Sequence, residues 1–185
     1  YSLEGKRKGN SFAVTAITQE FGEPADHRAL IVNGELVVVY QSLQWKGTPP
    51  RGGGPAEEHA KSQSLLLARF TLEGKELSRK PIVANAMDFA KDNFPDFCIA
   101  WRRDRLVVCT GAMRNSHVTF REVSLSGELL AEHAIAIPRG ASSIGNSLAV
   151  DGDRLLFLTG DGALSAFEVD SDWSLRRVRD WCESG

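Results

Sequence analysis

Cysteine is scarce. Three in 185 residues are too few, and odd in number, for a disulfide scaffold. Neither sign of charge dominates. With 22 Lys and Arg against 24 Asp and Glu, the net charge of −2 argues against a nucleic-acid or anionic-membrane surface. No apolar run approaches the roughly 20 residues that cross a bilayer, and no signal peptide is expected. The chain opens on Tyr1 rather than Met, as a mature, trimmed or excised piece would. Catalytic signatures are missing too. GxxxxGK[ST], GxGxxG, GxSxG, paired CxxC and HExxH do not occur, so no cofactor is implied. Gly140–Gly145, GASSIG, lacks the G-x-S-x-G spacing. His59 stands beside Glu57 and Glu58, but one His and two adjacent carboxylates lack the spacing of a metal site. The Asp-rich turns lack the terminal Glu of an EF-hand loop, so no metal is expected.

What the chain has is turn punctuation. Its 42% hydrophobic residues suffice for one core, and Gly, Asp and Asn interrupt them at short intervals. Ser147–Val178 shows this best. Ser147–Val150, Arg154–Thr159, Ala163–Val169 and Trp173–Val178 read as strands. Asp151-Gly152-Asp153, Gly160-Asp161-Gly162 and Asp170-Ser171-Asp172 turn between them. These residues accept the positive φ that tight hairpins need. A second unit holds Phe97–Trp101, Leu106–Thr110, His117–Leu125 and Glu128–Ile137. A first holds Ala29–Val32, the turn Asn33-Gly34, Glu35–Tyr40, Ser64–Leu72 and Glu76–Val83. A Gly/Pro-rich loop, 41–63, interrupts the first unit, and 84–95 links it to the second. Ser11–Phe21 is further strand material, ended by a turn at Gly22-Glu23-Pro24. Tyr1–Asn10 is read as a mobile arm.

The units match internally. TLEGKEL (Thr71–Leu77) returns as SLSGELL (Ser124–Leu130), 53 residues on from Gly74 to Gly127. NGELVVVY (Asn33–Tyr40), RDRLVVCT (Arg103–Thr110) and GDRLLFLT (Gly152–Thr159) share one slot, and Leu106 to Leu155 is 49 residues. Four-stranded units at this period resemble the blades of a β-propeller, over roughly Asp26 to Trp181. The second strands are unbroken apolar runs, which need cover on both faces. The third and fourth strands carry Arg69, Arg121, Glu122 and Glu168, as strands with one wet side would. The expected fold is all-β and β-propeller-like: units 26–83, 97–137 and 147–181 in one domain spanning 1–185. A β-sandwich is the alternative. Three units plus strand material fall short of a closed ring. A partial ring, completed by another copy or by further chain, is therefore expected.

Few residues nominate themselves for chemistry. Asp26-His27-Arg28 precedes the first strand of the first unit. DHRALIVNGELVVVYQS (Asp26–Ser42) resembles the inner strand of five-bladed glycoside hydrolases, where acids and a His or Arg face the central channel. The resemblance implies Asp26, His27 and Arg28 as site residues, with Asp96 as the partner acid and Glu23 behind it. Such carboxylates work only within about 5–10 Å of each other. The bland reading is that Asp26 caps a turn and Arg28 pairs locally. Trp45, in the long loop, is the aromatic best suited to stack on a sugar or anchor a protein. Trp101, Trp173 and Trp181 read as packing. Cys98 and Cys109 flank a turn at Arg103-Asp104. Counting outward sets them opposite each other, about 5.5 Å apart at Cα, either as two small buried hydrophobes or as a disulfide. Cys182 reads as an unpaired thiol. Two functions follow: a non-catalytic recognition module binding a protein or glycan through its loops, or a carbohydrate-active enzyme.

Overall fold

A computed structural model of the chain describes residues 23–45, 60–86, 93–111, 117–136, 148–160 and 163–182. The described residues hold twelve strands and no helix. In chain order these are β1 (Glu23–Val32), β2 (Glu35–Trp45), β3 (Ala60–Thr71), β4 (Glu76–Ala86), β5 (Asn93–Arg102), β6 (Arg105–Gly111), β7 (His117–Val123), β8 (Leu129–Ala136), β9 (Leu148–Asp151), β10 (Arg154–Gly160), β11 (Ala163–Val169) and β12 (Leu175–Cys182). They form three four-stranded antiparallel sheets, each paired in sequence order: β1–β4, β5–β8 and β9–β12.

Turn chemistry sets the registers. Asn33 (φ 51°) and Gly34 (φ 78°) make the β1–β2 turn, with left-handed backbone at both central residues as a type I′ hairpin requires. Arg103 (φ 50°) and Asp104 (φ 58°) repeat that geometry between β5 and β6 without a glycine. The turns between third and fourth strands are alike in all three sheets. The Thr71, Ser124 and Asp170 N–H groups donate to the Lys75, Glu128 and Ser174 carbonyls at 2.9, 2.9 and 3.2 Å. Their own carbonyls accept from Gly74, Gly127 and Trp173 at 3.0, 3.0 and 3.3 Å. Their side-chain oxygens cap the N–H four residues on. A diagonal ion pair recurs as well. Arg69 clasps Glu35 through two bonds of 2.8 Å, Arg105 meets Glu122 at 2.7 Å, and Arg154 lies 3.6 Å from Glu168.

Alternation along the strands gives each sheet two faces. One face of the second sheet presents Phe97, Ile99, Leu106, Val108 and Val123 to Val37, Val39, Leu65 and Leu67 of the first. Its other face presents Cys98, Val107, Cys109, Val118 and Phe120 to Leu155, Phe167 and Val169 of the third. The second sheet is therefore the middle layer. Covered on both sides, Leu106, Val107, Val108 and Cys109 are all fully buried, which is why β6 shows no polar alternation. The outer face of the first sheet is buried too, around Val38, Tyr40, Leu66, Ala68 and Phe70.

The structure corrects several expectations. The stretch 41–63 is not all loop, because 41–45 extend β2 and 60–63 extend β3. Its Gln and Ser residues hid the strands. They pair across the ladder, Ser42 opposite Ser64 and Leu43 opposite Gln63, and they satisfy each other: Gln41 donates to Gln63 at 3.1 Å. The linker 84–95 is likewise entered by β4 and β5. Pro24 does not end a turn but lies within β1, next to a register shift between Pro24 and His27. β1 is an edge strand, where a missing N–H is tolerated. The third strands are drier than their charges suggest: Arg121 and Glu168 are buried, while Arg69 and Glu122 stay partly exposed. Ser11–Phe21, the glycines and prolines of 46–59, and 139–146 lie outside the described residues.

Candidate functional site

Asp26, His27 and Arg28 lie on β1, the first-sheet strand nearest to β5 of the second. They are strand residues, not the entrance to one. Asp26 Oδ1 accepts from Arg28 Nη1 at 2.8 Å and from the His27 N–H at 2.8 Å. Arg28 Nη1 also donates to the His27 carbonyl at 2.7 Å, and its guanidinium lies 5.0 Å from the centre of the Phe97 ring on β5. Partial burial pushes the Asp26 carboxyl up. The Arg28 hydrogen bond and the His27 N–H outweigh it, and the net shift is downward. Asp26 is thus a fixed anion committed to its neighbours, poorly suited to carry a proton at neutral pH. Arg28 bridges two sheets. Asp96 belongs to the irregular start of β5, between Asn93 and Phe97, and Trp45 ends β2 opposite Ala60; the side chains of both lie outside the described residues. Among the described residues, no group of three or more His, Cys, Asp or Glu side chains gathers as a metal would require.

Cys98 stands opposite Cys109 in the β5–β6 ladder, as the turn count requires. Both are buried free thiols. Burial first, then the hydrogen bond with Cys98, pushes the Cys109 thiol well up. Cys109 is an inert packing residue, since the thiolate is the reactive form, and Cys98 packs in the same cluster.

A second cluster escaped the sequence. Trp173 is not the first residue of a strand but the left-handed residue of the β11–β12 turn, φ 67°, in the place that Gly74 and Gly127 hold in the other sheets. For a side-chain-bearing residue that backbone costs about 1–2 kcal/mol. The indole is held by the middle sheet. It stacks on His133 (4.0 Å between ring centres, 13° between planes), meets Phe120 at 5.4 Å, and carries the Arg102 guanidinium 5.2 Å from its ring centre. Arg102 is only 2% exposed. Its Nη2 donates to the Asp170 carbonyl at 3.1 Å, while its Nε and Nη1, and His133 Nε2, have no hydrogen-bond partner among the described residues. Burial, then Arg103, pulls the Arg102 guanidinium down, and Glu122, Asp153 and Asp170 oppose that shift. The available signal was the turn itself: aligning Asp170 with Thr71 and Ser124 puts Trp173 under the two glycines.

Tyr40 anchors a third cluster on the outer face of the first sheet. Its hydroxyl accepts from Arg79 Nη1 at 2.8 Å, and Arg79 grips Glu76 with bonds of 3.1 and 2.7 Å. Burial raises the Tyr40 hydroxyl, although Arg79 pulls the other way. At the far end of β2 and β3, Gln41, Ser42, Ser62, Gln63 and Ser64 are buried. None of these clusters pairs a general acid with a base. Neither a protein-family model nor a curated protein matches the chain.

Proposed function

We propose that the chain is a non-catalytic recognition module on a β-propeller-like scaffold, binding a protein or glycan through its loops. The observation that carries this reading is the fate of Asp26. The carboxylate best placed by sequence for hydrolysis is tied to Arg28 and to the backbone N–H of His27. The carbohydrate-active alternative needs Asp26 and Asp96 to converge with a third acid.

Three features support the scaffold. β5 approaches β1 on one side and β9 on the other, so the first strands of the three sheets are neighbours. Leu106 and Leu155 face the preceding sheet, and Leu36 faces the corresponding outer side of the first. The described tight turns, between first and second and between third and fourth strands, fall at one end of each sheet, which leaves the opposite end to the remaining connections. Binding through that opposite end is the expected mode, with Trp45 at the end of β2 as a contact. On this reading the sheets are blades of an incomplete ring, finished by another copy or by further chain.

A glycan array combined with a hydrolysis screen on chromogenic glycosides tests the function. Binding without turnover is the expected result. Turnover that disappears in Asp26→Asn would overturn it.

A further inference from the structure

We propose that the outer edge of β8, an edge strand among the described residues, pairs antiparallel with β8 of a second copy of this chain. An outer edge strand offers unpaired N–H and C=O groups to any passing strand, and proteins block such edges with cations, proline and bulges. The three outer strands differ sharply in this respect. β4 carries Arg79, Lys80 and Pro81, and its pairing with β3 is broken by three register shifts. β12 carries Arg176, Arg177 and Arg179, with one shift. β8 reads Leu-Leu-Ala-Glu-His-Ala-Ile-Ala and has neither a cationic Lys or Arg nor a proline. After a shift at its start, Ala131–Ala136 pair with β7 without interruption. Nothing in this run blocks a strand from approaching: Ala134 and Ala136 are small and exposed.

The sequence of the run selects its own copy. A two-fold axis through the sheet pairs residues of like parity, because directly opposed side chains share a face. Centred on Ala134, the axis sets Ala134 against itself, His133 against Ile135 and Glu132 against Ala136. No like charges meet. Glu132 keeps its ion pair with Arg121 at 2.8 Å, so the edge brings no uncompensated charge to the contact. Exposed Leu129 and Leu130 flank the run. A five-residue strand contact, Glu132–Ala136, is small for a stable interface, so a reversible, concentration-dependent dimer is expected.

Light scattering over a concentration series on the intact chain reads this directly. The mass should rise from one chain to two on concentration, and Ala134→Lys with Ala136→Lys should hold it at one chain with an unchanged far-ultraviolet spectrum. Ala134→Cys in a Cys182→Ser background gives a second readout: oxidised glutathione should link two chains covalently, whereas Glu76→Cys in the same background should not. A single-chain mass at every concentration would overturn the proposal. So would a dimer that survives the two lysines, which would assign association to ring completion instead.

Discussion

The two layers on either side of the middle sheet are built differently. Between the first and second sheets the contact is aliphatic and aromatic: Arg28 bonds Asp26 and lies over Phe97, with one buried nitrogen, Nε, that makes no hydrogen bond among the described residues, and Arg69 clasps Glu35 and reaches the Leu125 carbonyl at 3.4 Å. Between the second and third sheets lie two thiols, an arginine with two nitrogens and a histidine with one that have no hydrogen-bond partner among the described residues, and a tryptophan in a left-handed turn. Each buried unpartnered donor costs about 1–3 kcal/mol. The second layer therefore returns less stability for similar burial. It is the layer expected to open first.

Phe97→Ala is the largest test of that difference. Phe97 is fully buried in the first layer, and its truncation should cost about 3–5 kcal/mol by urea denaturation. Phe120→Ala, equally buried in the second layer, should cost distinctly less, because the strained turn above it can relax. Equal costs would erase the distinction.

Trp173→Gly comes next. Losing the indole costs about 3–5 kcal/mol, and relief of the left-handed backbone returns about 1–2, so a net loss near 2 kcal/mol is expected. A stabilised Trp173→Gly variant would mean that the stack with His133 contributes little. The arginines sharpen the contrast further. Arg69→Met strands Glu35 and should cost about 1–2 kcal/mol. Arg102→Met removes two unpartnered donors along with one hydrogen bond, and should stay within about 1 kcal/mol of neutral or stabilise.

The smallest effects are in pH. Asp26 is shifted downward in the fold, so its contribution is present above the unfolded carboxylate value near 4 and is lost as pH falls below it. Cys109 is shifted upward. The unfolded chain ionises that thiol near 8.5 and the folded chain does not, so stability is full below that pH and declines above it. Cys109→Ala should flatten the alkaline limb in melts between pH 7 and 10, and Asp26→Asn should flatten the acid limb.

Tight turns were legible because they are local. Asn33-Gly34 needs no distant partner to be a hairpin turn, and the same holds for the glycines at 74 and 127. The Cys98–Cys109 register followed from counting outward from such a turn. The limits of β2 and β3 were not legible, since Gln41, Ser42, Gln63 and Ser64 look like loop until each has the other across the ladder. Asp26 and Arg28 were visible as a cluster, but their mutual capture depends on how β1 is held against Phe97. Trp173 reads from sequence as an ordinary packing residue, although its backbone is left-handed where Gly74 and Gly127 stand in the other sheets.

Local chemistry in the chain determined that this protein is all-β and that its strands come in fours, because period-two patterning and turn residues act over a handful of positions. Which sheet lies in the middle, which arginine keeps its partners and which loses them were decided only when the faces met. Burial and unmet hydrogen bonds are properties of surfaces brought together from distant parts of the chain, and no short stretch of sequence contains them.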